Sequence, residues 1–167
     1  MKTLRLIFIF ILLLNQGTIW SQKNAMRAYL DTKQFYHPSA GNYIEIHLQF
    51  VGYSITNESV KGGLQSRVAV KYELISSTND TLRDAYLLTS PLYKDSIIDD
   101  FYDIRRLAIA PGKYLMKIEL EDVLSKKDPI KAQQELNVED FGLQASVSDI
   151  EIAEYAYPDT NVSPFQK

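Results

Sequence analysis

A chain of 167 residues with 46% hydrophobic residues, 23% charged residues and no cysteine has the apolar content for one ordinary hydrophobic core, and no disulfide can staple its fold. The formal net charge of −3 argues against a sequence-independent nucleic-acid binder, which needs clustered cations to displace counterions from phosphates.

The chain opens with Lys2 and Arg5 ahead of an unbroken apolar run over residues 6–14. That is the charged and apolar order of a secretory signal peptide, and the run falls well short of the ~20 residues needed to cross a bilayer. It ends at Asn15, Gln16 and Gly17 rather than at a basic stop, which disfavours the alternative of a retained anchor. The best cleavage point follows Ser21, with Ile19 two residues before it. Residues 1–21 are thus expected to be removed, taking two cations and no acid with them. An exported chain without cysteine fits a bacterial envelope better than a eukaryotic secretory pathway. Asn57, Asn79 and Asn161 match the glycosylation pattern, but in a bacterium they are polar loop residues.

From residue 43 to 50 the side chains alternate strictly, with Ile44, Ile46, Leu48 and Phe50 against Tyr43, Glu45, His47 and Gln49, which predicts a half-buried strand with Glu45 and His47 facing outward. A second run sets Val68, Val70, Tyr72 and Leu74 against Ala69, Lys71 and Glu73, after a turn at Lys61-Gly62-Gly63. These two runs are expected to pair as a hairpin with a long loop. Asn79-Asp80 punctuates the chain before an apolar run over residues 82–89, a third strand. Leu107 and Ile109 lead into Pro111-Gly112, and Tyr114, Met116, Ile118 and Leu120 then alternate with Leu115, Lys117, Glu119 and Glu121. Two strands meet at this corner, and Tyr114 is expected to turn its hydroxyl back onto the connecting backbone. Ala132, Leu136 and Val138 mark another strand. A helix there is the alternative, disfavoured by the short length and the upstream Pro129. A last strand is expected over residues 143–153. Short strands, regular turns and no long amphipathic helix give an all-β immunoglobulin-like or fibronectin-like antiparallel sandwich over residues 22–153. Residues 154–167 lose periodicity and read as a tail or linker, and the absence of a structural stop signal predicts further chain downstream.

No residues converge as an active site. Asp99, Asp100 and Asp103 are the densest acidic cluster, but they lack the spacing, glycine and terminal glutamate of a calcium loop and read as a solvated loop before a strand. His37 and His47 lie in separate segments without a metal spacing. Ser148-Asp149 sits in no nucleophile elbow and has no third partner, so a bulge or turn is expected. No glycine-rich phosphate loop follows a strand. The chain is therefore expected to have no catalytic residues, no cofactor and no metal site. Eleven tyrosines suit strands, and they also suit stacking on sugars or anchoring interfaces. Tyr43, Tyr53, Tyr155 and Tyr157 are the ones to test for exposure.

The stretch from Leu143 through Ser148, Asp149 and Ile150 to Ala153 is similar to the L-x-L-S-D-I-x-L-A segment of exported Bacteroidetes proteins with a GWxTD domain. Ser163, Phe165 and Lys167 resemble the S-x-F-x-K that follows it, and residues 31–50 resemble the start of those proteins. The signature Gly-Trp-x-Thr-Asp is absent, and Trp20, the only tryptophan, belongs to the signal peptide. In the family that signature lies beyond the region matched, so the resemblance implies an N-terminal module, its fold, its origin and an envelope location, and it carries no functional residues over. A non-catalytic exported module is the expectation, destined for the periplasm, the outer surface or the medium. Its partner is an envelope protein or glycan, not nucleic acid, and it meets the membrane only through its signal peptide. The alternative is the accessory sandwich of an envelope enzyme whose catalytic part lies downstream.

Overall fold

The alternating runs dictate two layers, because each strand has one apolar face that must be covered. The computed structural model of the protein describes residues 25–94, 97–142 and 147–150. They form a β-sandwich of a three-stranded and a five-stranded antiparallel sheet. The small sheet has the order β1-β2-β6, with β1 Ala28–His37, β2 Gly41–Phe50 and β6 Phe101–Ala108. The large sheet contains β3 Asn57–Val60, β4 Gly63–Ser76, β5 Thr81–Thr89, β7 Gly112–Asp122 and β8 Ile130–Val138. Strand β4 pairs β5 along one edge. Its other edge takes β3 at residues 63–66 and β7 at residues 68–76, and β8 follows β7.

The core lies between the two inner faces. Ile44, Ile46, Leu48 and Phe50 from β2 meet Val68, Val70, Tyr72 and Leu74 from β4 and Met116, Ile118 and Leu120 from β7, all buried. Phe50 stacks on Phe101 at 5.0 Å between ring centres. The registers expected for β2, β4 and β7 are those observed. The hairpin expected between β2 and β4 is not: β1 and β6 take both edges of β2, and the apolar faces of β2 and β4 oppose each other across the core. Alternation identifies the buried faces but does not say whether two such faces pair edge to edge or stack.

At the Pro111-Gly112 corner the Tyr114 hydroxyl donates to the Ala110 carbonyl at 2.9 Å, as expected. The segment over residues 132–138 is strand β8, as expected. The strand expected over residues 143–153 is corrected where it is described, since residues 147–150 are irregular. There the Asp149 N–H donates to the Gln34 carbonyl at 3.0 Å and its carboxylate accepts the Gln34 N–H at 2.7 Å. One residue thus meets both edge groups of Gln34, with its side chain standing in for the ladder bond a strand would supply. The signal-peptide and tail ranges, 1–21 and 154–167, lie outside the described residues.

Candidate functional site: the outward face of the three-stranded sheet

Directly paired residues of an antiparallel sheet point to the same side, so the register defines the outward face. It holds four cross-strand rows: Tyr29, Gln49 and Tyr102; Asp31, His47 and Ile104; Lys33, Glu45 and Arg106; Phe35, Tyr43 and Ala108.

One end of this face is aromatic and open. Tyr29 and Tyr102 are 61% and 66% exposed. The ladder continues one step before β1, where the Val51 N–H donates to the Arg27 carbonyl at 3.0 Å, which puts Arg27 on the same side as Tyr29. Its guanidinium lies 4.8 Å from the centre of the Tyr53 ring, a cation–π arrangement that leaves Tyr53 62% exposed. Between the two tyrosines, Gln49 Nε2 donates to Asp100 Oδ2 at 3.3 Å, and Asp100 Oδ1 accepts the Gly52 N–H at 3.1 Å.

The connection from β5 to β6 delivers Asp100 and Tyr102. Tyr93 exchanges backbone hydrogen bonds with Leu64 and donates its hydroxyl to the Asp99 carbonyl at 2.9 Å. The connection passes so close to Gly52 that a Cβ there would stand 2.2 Å from the Asp99 carbonyl oxygen. Glycine is required at that position by contact rather than by backbone angle.

The middle of the face is largely ionic, and its central carboxylate is enclosed while Asp31 and Ile104 in the next row stay exposed. Glu45 is only 3% exposed, accepting from Arg106 Nε at 2.7 Å and lying 3.0 Å from His47 Nε2. This corrects the expectation of a solvent-facing Glu45: it does point outward, but its neighbours on the face, Arg106 and His47 among them, enclose it. His47 keeps its outward orientation. Lys33 Nζ lies 3.4 Å from the Asp31 carboxylate. Tyr43 stacks on Phe35 at 5.5 Å, and burial, then the Glu45 charge, raise its pKa. Of the tyrosines singled out for exposure, Tyr53 is open, Tyr43 is packed into the face, and Tyr155 and Tyr157 lie outside the described residues.

The acidic cluster is dispersed. Asp99 offers its carbonyl to Tyr93 and Asp100 bonds Gln49 and Gly52. Asp103 is not in a loop but within β6, where it accepts the Tyr86 hydroxyl at 2.5 Å. Arg105 lies 3.8 Å from the centre of the Tyr86 ring. Nearby, the Tyr72 hydroxyl donates to Asp84 at 3.3 Å. Burial, then the Asp84 charge, push Tyr72 up to about 12, and burial, then the Asp103 bond, push Tyr86 higher still. Both phenols stay protonated as donors, Tyr72 from β4 to β5 and Tyr86 from β5 to β6, a seam across three strands rather than an acid–base pair. His37 sits at the β1–β2 turn beside Ser39. Among the described residues no three His, Asp or Glu side chains group to hold a metal. Ser148 Oγ donates to the carbonyl of its neighbour Asp149 at 3.3 Å.

Sequence reasoning missed Tyr29, Tyr102, Gln49 and Asp100 as a group. The strict alternation of β2 does place Gln49 outward, but nothing in the linear pattern says which strands flank it.

No family model matches the chain, and no curated protein matches it. A solved structure described as the X-ray structure of a Northeast Structural Genomics Consortium target is similar at 9% identity and a TM-score of 0.37, over 80% of this chain and 98% of that one.

Proposed function

We propose that this chain is an exported, non-catalytic binding module of a bacterial cell envelope, and that it binds through the outward face of its three-stranded sheet. The observation that carries the reading is the grouping of Tyr29, Tyr53 and Tyr102, each more than half exposed, at one end of a single sheet face. Large rings cost little conformational entropy to fix and offer apolar area with a polar tip, so partners are often anchored on them. Export rests on the charged and apolar order of residues 1–21. The immunoglobulin-like or fibronectin-like subtype is part of the proposal, supported by the β1-β2-β6 and β5-β4-β7-β8 strand orders and by the Tyr114 corner. The kinship with the N-terminal region of GWxTD-domain proteins belongs here too, on the short motifs quoted above.

The test has two arms. Fractionation of the source cells with intact-mass measurement is expected to find the protein outside the cytoplasm and starting at Gln22; a cytoplasmic protein that retains residues 1–21 contradicts export. Full chain added to isolated envelope fractions is expected to be retained, and Tyr29→Ala with Tyr102→Ala is expected to abolish retention without unfolding the protein. Undiminished retention of that double variant removes this face from the proposal.

A further inference from the structure

The chemistry of the aromatic end specifies a class of ligand. The ionic groups of the face are already answered within it: Asp31 by Lys33, and Glu45 by Arg106 and His47. At the open end Arg27 lies over the Tyr53 ring and Asp100 is held by Gln49 and Gly52. Arg27 and Asp100 carry opposite charges there, so the open end offers no cluster of one sign for a charged polymer to follow. A protein partner wants a continuous apolar centre ringed by polar groups. Here the order across the strands is ring, amide, ring, with Tyr29 and Tyr102 on either side of Gln49, and the exposed Ile104 adjoins Tyr102 along β6 alone. Two strand spacings separate those rings by about 10 Å, more than the width of one sugar ring. A neutral sugar presents an apolar C–H face and a rim of hydroxyls. That pairing of apolar face and polar edge is what two tyrosines, an amide and a carboxylate meet.

We propose that the Tyr29–Gln49–Tyr102 row, with Tyr53 and Asp100 beside it, binds a neutral oligosaccharide chain lying across the strands of the small sheet. The inference rests on the binding-face reading above. Successive sugar residues stack their C–H faces on Tyr29 and Tyr102, and the hydroxyls between them exchange hydrogen bonds with the Gln49 amide and donate to the Asp100 carboxylate.

The test is electrophoresis of the full chain through native gels containing xylan, mannan, laminarin, dextran or hydroxyethylcellulose, with polygalacturonic acid as the anionic contrast. At least one neutral polysaccharide is expected to retard the protein, and added salt is expected to leave the retardation unchanged. Tyr29→Ala and Tyr102→Ala are each expected to weaken binding at least tenfold. Tyr36→Ala, which removes an exposed ring off the outward face of β1, is expected to bind as the parent does. The inference is overturned by mobility unchanged in every neutral gel, by equal retardation of parent and Tyr102→Ala, or by retardation only in the anionic gel. If the neutral gels are blank while Tyr102-dependent envelope retention persists and is destroyed by protease treatment of the envelope, the face binds a protein and only the glycan inference falls. If retention is absent as well, both readings fall.

Discussion

The outward faces of the two sheets follow from the same alternation yet are built for different purposes. On the large sheet, Lys71, Glu119 and Lys131 form one cross-strand row, with Nζ to carboxylate distances of 3.0 and 2.9 Å, and Arg83 meets Glu73 at 2.8 Å. These pairs are exposed, and the bonds to Lys71 and Lys131 hold the Glu119 carboxyl below its ordinary range. On the small sheet the central carboxylate is enclosed, and the most exposed large apolar side chains of the face are tyrosines. A ladder of solvated pairs keeps a surface soluble and contributes little to stability. An enclosed ion network with open rings at one end is a costlier arrangement that solubility does not require.

The inner faces set the upper end of the scale. Ile46→Asp on the small sheet and Ile118→Asp on the large one each bury an unpaired charge and are expected to cost about 4 kcal/mol or more, read by urea denaturation. A mild effect at either site would show that the two layers do not share one core. Next comes Glu45→Lys, expected to cost about 2–3 kcal/mol, less than a fully buried pair because Arg106 stays half exposed. The parallel change on the other face, Glu119→Lys, is expected to leave the melting temperature nearly unmoved. Equal melting temperatures for these two variants would erase the distinction between the faces. Tyr114→Phe removes one hydrogen bond at the corner and is expected to cost about 1 kcal/mol.

The smallest effect is in alkali. Tyr72 and Tyr86 ionise at higher pH in the folded chain than in the unfolded one. Above pH ~10 the unfolded chain releases protons that the folded chain keeps, so stability falls as pH rises from there towards the folded values. The double variant Tyr72→Phe, Tyr86→Phe is expected to show a shallower fall above pH ~10 in pH-dependent urea denaturation. An unchanged slope would mean that the seam is not what holds those protons.

Much of the sandwich was legible because every second residue of the central stretches of β2, β4 and β7 is a large apolar one, and the Pro111-Gly112 corner marks the turn that Tyr114 closes. Strand β1 was not legible, because Thr32 and Gln34 occupy inward positions. Gln134 Nε2 bonds the Thr32 hydroxyl at 3.1 Å, and the Gln34 amide bonds the Asn137 carbonyl and the Glu139 N–H at 2.9 and 3.1 Å. A strand that laces the sandwich shut with amides carries no hydrophobic period. Strand β3 has only four residues, too few for a pattern. Asp103 read as part of a loop because acidic residues cluster before it, yet Tyr86 and Arg105 make an inward carboxylate tolerable. Tyr53 stands among four tyrosines to test for exposure, though strand propensity favours the strand reading of such rings, and it is open. Its companions were not legible, since Tyr29 and Tyr102 meet only through the pairing of β1 and β6 with β2.

The central claim, that binding belongs to the small-sheet face and not to the large one, is tested most directly by hydroxyl-radical footprinting of the full chain, free and bound to envelope fractions. Protection of Tyr29, Tyr53 and Tyr102 is predicted, with unchanged labelling of Leu87 and of the residues around Lys71, Glu119 and Lys131. Protection centred on the large sheet, or labelling of the three tyrosines unaltered by binding, would contradict it.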